Sequence, residues 1–119
     1  MKTVKQLLLL FFLIMLFIPR VVGQSIPTKP IRLAVAGMTH GHISFILGRK
    51  DKADFILTGF YEPNYELALS LSKRYGFNPK LIYSDLGKML DEVKPEAVVA
   101  FGSVYEHMAV VEACCWIFR

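Results

Sequence analysis

The sequence predicts a doubly wound parallel α/β sheet for residues 31–119, with elements in the order βαβαβαβα. Three observations carry this. Short apolar runs recur at Ile31–Ala36, Phe55–Tyr61, 81–83 and 97–101. Between them, apolar residues return at helical spacing. Turn and cap residues stand where the two patterns meet. Strands that are apolar on both faces and alternate with helices belong in a parallel sheet covered on both sides. Right-handed crossovers then favour the doubly wound arrangement, with the flavodoxin-like strand order as the alternative.

Each element has its own warrant. "IRLAVA" carries Ile, Leu and Val with one charge, the pattern of a buried strand. The turn 37–42, "GMTHGH", follows, and Ile43, Ile46 and Leu47 open a helix at i, i+3, i+4. "FILTGFY" is the second strand. Asn64 is an N-cap for a helix with a stripe of Leu67, Leu71 and Tyr75, and Gly76 supplies a left-handed C-cap. Residues 81–83 form a short third strand. Ser84 is the expected cap of a helix bearing Leu86, Met89, Leu90 and Val93, which Lys94-Pro95 stops. "AVVAF" at 97–101 is the fourth buried strand, and a last helix starts near Tyr105.

The first 23 residues read as a secretory signal peptide rather than as part of the fold. Lys2 and Lys5 precede a continuous apolar run over 7–18, shorter than the about 20 residues a membrane span requires. Pro19 and Arg20 interrupt it, and Val21 and Gly23 place small residues before Gln24. The expectation is export to the periplasm or the medium, with an uncleaved membrane anchor as the lesser alternative. Residues 24–30 contain "SIPTKP" and read as a linker.

The net charge of +4 needs the same correction. Three of the 14 Lys and Arg fall within residues 1–23, which hold no acid, so the remainder carries a formal +1. That balance gives no support for a nucleic-acid partner. Cys114 and Cys115 are adjacent and cannot staple distant segments. They read as two small apolar residues on a helix.

Ligands of doubly wound sheets bind beyond the C-terminal strand ends, near the point where strand order reverses. Three polar groups lie at such ends: the turn 37–42, Glu62, and the stretch from Gly102 to His107. The dinucleotide fingerprint G-x-G-x-x-G aligns on Gly37, Thr39 and His42, so its first glycine alone is kept. Gly41 supplies some backbone freedom one residue before the missing third glycine. Glu62 follows Gly37 at about the expected spacing for an acid that accepts from a ribose 2′-OH. It would repel a 2′-phosphate, which favours NAD over NADP. The alternative for Glu62 is a solvated acid in the turn before Pro63. His40 and His42, two apart, suit one metal ion poorly, and no nearby acid or cysteine completes a set. They read as structural or ligand-facing imidazoles. Ser103 has no local partners for nucleophilic catalysis.

The segments "IRLAVAG", "HGH", "LTGFYEPNYELALSLSKRYGF", "YSDLGKML" and "AVVAFGSVYEHMAVVEAC", in that order, resemble the N-terminal domain of the Gfo/Idh/MocA oxidoreductases. The resemblance covers about residues 31 to 115. It implies a Rossmann half that binds NAD(P), with Gly37, Met38, Thr39 and His40 at the pyrophosphate turn and Glu62 at the adenosine ribose. It places Gly102, Ser103 and His107 on the nicotinamide side. It implies sugar or polyol substrates.

The family pattern continues after its fourth helix with "GKxVxxEKP" and a second domain that brings the substrate pocket. This sequence closes on "ACCWIFR" without either, and Trp116, Ile117 and Phe118 depart from the pattern. The expectation is a nucleotide-binding fragment, the substrate being handled by a longer protein, with no catalytic residue of its own. The alternative is an exported, catalytically silent module binding a nucleotide or sugar. Soluble NAD is scarce outside the cytoplasm, so export favours a tightly held cofactor or lost redox function. The fourth strand of such a partial sheet is an edge, which invites self-association.

Overall fold

The computed structural model describes residues 4–6, 8, 11, 29–50 and 53–117. The expected signal peptide and linker lie almost entirely outside these. Among the described residues no helix is long and apolar enough to cross a membrane.

Four parallel strands form the sheet: β1 (Ile31–Ala36), β2 (Phe55–Tyr61), β3 (Ile82–Tyr83) and β4 (Ala97–Ala100). They lie in the order β3-β2-β1-β4. From β1 the chain builds outward through β2 to β3, then returns to add β4 on the other side of β1. The order therefore reverses between β1 and β4, as in the Rossmann arrangement rather than the flavodoxin-like one.

Successive strand residues point to opposite faces. Val35 joins Phe60, Met38, Ile43, Leu47 and Ala68 under α1 (Ser44–Leu47) and α2 (Tyr65–Tyr75). Ala34 joins Met89, Leu90 and Val93 under α3 (Leu86–Val93), with Ala113 and Cys114 of α4 (Val104–Ile117) packed against them. Val99 and Val98 divide between the two faces in the same way. Phe60, Met89, Leu90 and Val35 are fully buried, and burying each contributes about 1.5–3 kcal/mol.

Two details position the mouth of the sheet. The pairing of β1 with β2 shifts between Leu33 and Ala34, leaving Thr58 as an extra residue in β2. The Thr58 hydroxyl donates to the Leu33 carbonyl at 3.2 Å and closes the gap in the ladder. Gly59 follows, where a Cβ would stand 3.0 Å from Val93 and 3.1 Å from Met89, so its bareness lets α3 lie close on β2.

Most local expectations hold. Asn64 caps α2 by accepting from the Leu67 amide at 3.2 Å, and Gly76 ends it at φ 75°. Lys94, at φ 47°, ends α3 before Pro95. Four details differ. Asp85, not Ser84, caps α3, its carboxylate accepting from the Lys88 amide at 2.6 Å. A carboxylate is the stronger acceptor at a helix N-terminus. Leu81 belongs to a 3-10 turn begun by Pro79, so β3 starts at Ile82. β4 ends at Ala100 and is half-buried throughout, because it pairs with β1 alone among the described residues. The last helix begins at Val104, where Ser103 and Glu106 cap it.

Candidate functional site

The reversal of strand order brings two turns together. β1 leads into Gly37 and β4 toward Gly102, and the Gly37 amide donates to the Tyr61 carbonyl at 2.8 Å. Gly37 has φ 75°, and a Cβ on it would stand 2.6 Å from the backbone of Gly102. Both facts require glycine. The His40 amide donates to the Phe101 carbonyl at 2.8 Å, and the Phe101 amide to the Ala36 carbonyl at 2.9 Å. The Thr39 hydroxyl lies 3.5 Å from the same Phe101 carbonyl. The first turn is thus laced to the second along the floor of the crevice.

Gly41 is not at positive φ, so the backbone freedom expected of it is not used. Nothing lies within 4 Å of where its Cβ would be, and that side of the turn is open. The following helix is short: a 3-10 turn over Gly41–Ile43 and then the four residues of α1.

Glu62 is 4% exposed. One carboxylate oxygen accepts from the Met38 amide at 2.8 Å, the other from the Asn64 amide at 2.9 Å. Its own amide donates to the Tyr83 carbonyl at 2.9 Å. A solvated acid is therefore the wrong description: the carboxylate is a strut between the glycine turn and the entry to α2. Burial of a carboxylate is tolerated here because both oxygens are hydrogen-bonded. The Met38 side chain is buried in the core, leaving its backbone alone at the turn.

Ser103 and Glu106 form the glutamate half of a capping box, an S-x-x-E pattern legible at 103–106 but not singled out from the sequence. The Glu106 carboxylate accepts from the Ser103 amide at 2.6 Å, and the Glu106 amide donates to the Ser103 carbonyl at 3.0 Å. The Ser103 hydroxyl and amide hold the Glu106 carboxyl below its usual range, with a smaller contribution from His107. Tyr61 is raised above the ordinary phenol value by burial first, then by Glu106, Glu62 and Asp85. The charges of these three acids are thus felt at Tyr61, at the end of β2.

On the β4 side the character changes. A cavity of about 260 Å³ is lined by His40, His42, Ala100, Phe101, Gly102 and His107. Of the residues singled out from the sequence, it unites His40, Gly102 and His107. Gly37 and Met38 are buried and Thr39 and Ser103 exposed, and none of the four is part of its lining. Glu62 stands behind the turn. His42, read from the sequence as a structural or ligand-facing imidazole but not assigned to the cofactor, is part of the lining. Among the described residues no group of three His, Cys, Asp or Glu can hold a metal ion. Cys114 and Cys115 are free thiols on α4. Burial, then Cys115, pushes the Cys114 thiol up, which makes it a poor nucleophile.

No protein-family model matches the chain, and no curated protein matches it. Among solved structures it is similar to the crystal structure of an oxidoreductase from Sinorhizobium meliloti, with a TM-score of 0.59 and 26% identity. The match covers 76% of this chain and 27% of that one, so the chain spans about a quarter of the neighbour's length. The Rossmann-like sheet described above is an oxidoreductase-type fold.

Proposed function

We propose that residues 31–117 form the NAD-binding part of an oxidoreductase of the Gfo/Idh/MocA type. The observation that carries this reading is the crevice at the strand-order reversal, where a tight glycine turn and the Gly102 loop meet over a cavity. Dinucleotides bind at that place in doubly wound sheets. The local fit is favourable. Gly37 and Gly102 leave no side chain between the two turns, and the Gly41 side is open to an approaching group. At about 260 Å³ the cavity is below the 300–1,000 Å³ of whole-ligand pockets, and it suits the central diphosphate of a dinucleotide.

In this reading the turn 37–41 and the His-lined cavity take the diphosphate. The loop 102–103 faces the nicotinamide end. Glu62 fixes the turn through the Met38 amide and, with Asp85 and Glu106, makes the adenosine side acidic, which disfavours a 2′-phosphate and selects NAD over NADP. NAD when bound supplies the hydride acceptor or donor; these residues bind and orient it. A sugar or polyol is the substrate class this reading implies. A second reading, a nucleotide- or sugar-binding module without turnover, has one observation in its favour: the cavity lining contains no lysine and no carboxylate.

Calorimetric titration of the full chain with NAD and with NADP tests the proposal. Saturable heat with NAD at or below about millimolar concentration, and weaker binding of NADP, is the expected result. At 1 mM a ligand gains only about 4 kcal/mol, so silence with NAD at that level removes the cofactor reading.

A further inference from the structure

The chain contains three histidines, and all three line the one cavity at the strand-order reversal. His40 and His42 come from the turn after β1, and His107 comes from the first turns of α4, distant in sequence. The His40 and His42 rings meet edge to face with centroids 4.5 Å apart, and the Phe45 ring centroid lies 5.5 Å from that of His42. The three side chains do not form a metal set among the described residues. They are exposed rather than part of the core.

The backbone donors around this cavity are largely engaged within the protein. The Met38 amide is held by Glu62, the His40 amide by Phe101 and the Ile43 amide by His40. The His42 amide lies 3.4 Å from the His40 ring nitrogen, and the Ser103 amide is held by Glu106. In the glycine-rich version of such a turn, backbone amides cradle the phosphate. Here glycines are replaced by Thr39 and His42 and most amides are taken. No Lys or Arg lines the cavity. The donors that remain in number are the imidazoles, each of which donates from both ring nitrogens when protonated.

The geometry points to an imidazole cradle: His40, His42 and His107 together bind a phosphate or diphosphate group, taking over the task of the missing amides. The identity of the ligand rests on the dinucleotide reading above; the cradle does not. Its consequence is a coupling to pH. Two imidazolium rings 4.5 Å apart repel each other, and an anion in the cavity that both line offsets that repulsion. Binding and protonation therefore favour one another. Affinity is highest below the imidazole range and falls as pH rises through it. The acid beside the cradle on α4 is Glu106, whose carboxylate accepts from the Ser103 amide, and Glu62 behind the turn has its oxygens on the Met38 and Asn64 amides.

The test is calorimetry on the full chain with ADP-ribose, with NAD and with inorganic sulfate, at about pH 5.5 and about pH 8, either side of the imidazole range. None of these probes changes its own phosphate or sulfate charge between those values. The expected result is about a tenfold loss of ADP-ribose affinity at the higher pH, the scale separating a charged from a neutral hydrogen bond. His42→Gln and His107→Gln, at exposed positions, are expected to bind weakly at both pH values while circular dichroism shows them folded. Equal affinity at the two pH values overturns the cradle and leaves the dinucleotide reading standing. Sulfate binding at low pH without NAD or ADP-ribose binding supports the cradle and overturns the dinucleotide reading. Folded variants that keep the wild-type pH dependence also overturn it, as does silence with every probe.

Discussion

Helices α3 and α4 cover the same face of the sheet, and their surfaces could hardly be less alike. In α3 the apolar residues form one stripe, and Met89, Leu90 and Val93 are buried while Lys88, Asp91 and Glu92 face solvent. In α4 the apolar residues go all the way round. Val110 is buried, yet Val104, Tyr105, Met108, Val111 and Trp116 are each more than half exposed. Beside them runs the free edge of β4, with Val98 and Ala100 lining an apolar groove against Val110, Val111 and Cys114. A helix apolar on every side is normally enclosed. The comparison teaches that α3 has a partner for each apolar residue within these four strands, and that α4 carries more apolar surface than they can cover.

The largest effect is expected where the two regions are joined. Gly37→Ala adds a Cβ against the Gly102 backbone at a left-handed φ. Strain and overpacking each cost about 1–3 kcal/mol, so about 4 kcal/mol is expected in chemical denaturation. A loss under about 1 kcal/mol means that the two turns do not meet as described.

The next effect separates the helices directly, because each offers a methionine. Met89 is fully buried and Met108 is 65% exposed. Met89→Ala is expected to cost about 3 kcal/mol and Met108→Ala under about 0.5 kcal/mol in the same urea titration. Equal losses mean that α4 is as enclosed as α3 in solution, and a Met108 loss that grows with protein concentration identifies a second copy as the cover.

The smallest effect concerns the start of α4. The Glu106 carboxyl is held below its unfolded value of about 4.5 by Ser103. Its contribution is therefore present above that value and disappears as pH falls through the lower folded value. The Tm gap between wild type and Glu106→Gln is expected to be present at about pH 6 and to close by about pH 3. A gap that stays constant across that range removes the capping charge from the account.

Much of this could be read from the chain. β1 and β2 appear with the expected boundaries because each is a short, mostly apolar run bounded by turn residues, too short for a helix of one-sided polarity. Asn64 and Gly76 act as expected because capping is local chemistry. The misplacements are local too. Ser84 and Asp85 are both good caps, and which one serves depends on where β3 releases the chain. The S-x-x-E pattern at 103–106 is legible in the sequence, since the Glu106 bond to the Ser103 amide spans only three residues. Glu62 was singled out by its spacing from Gly37, while its burial and its hold on the Met38 amide depend on β2 and β1 lying side by side.

The sequence by itself determined the alternation of strands and helices, the caps that punctuate them and the need for glycine at a sharp turn after β1. These follow from hydrophobic period and backbone sterics over a few residues. Only the tertiary structure decided the strand order, and with it which turns face each other. That order set Gly37 against Gly102, turned Glu62 inward, and gathered three histidines from two distant segments around one cavity. Such meetings depend on which strand pairs with which, and no local pattern of residues records that.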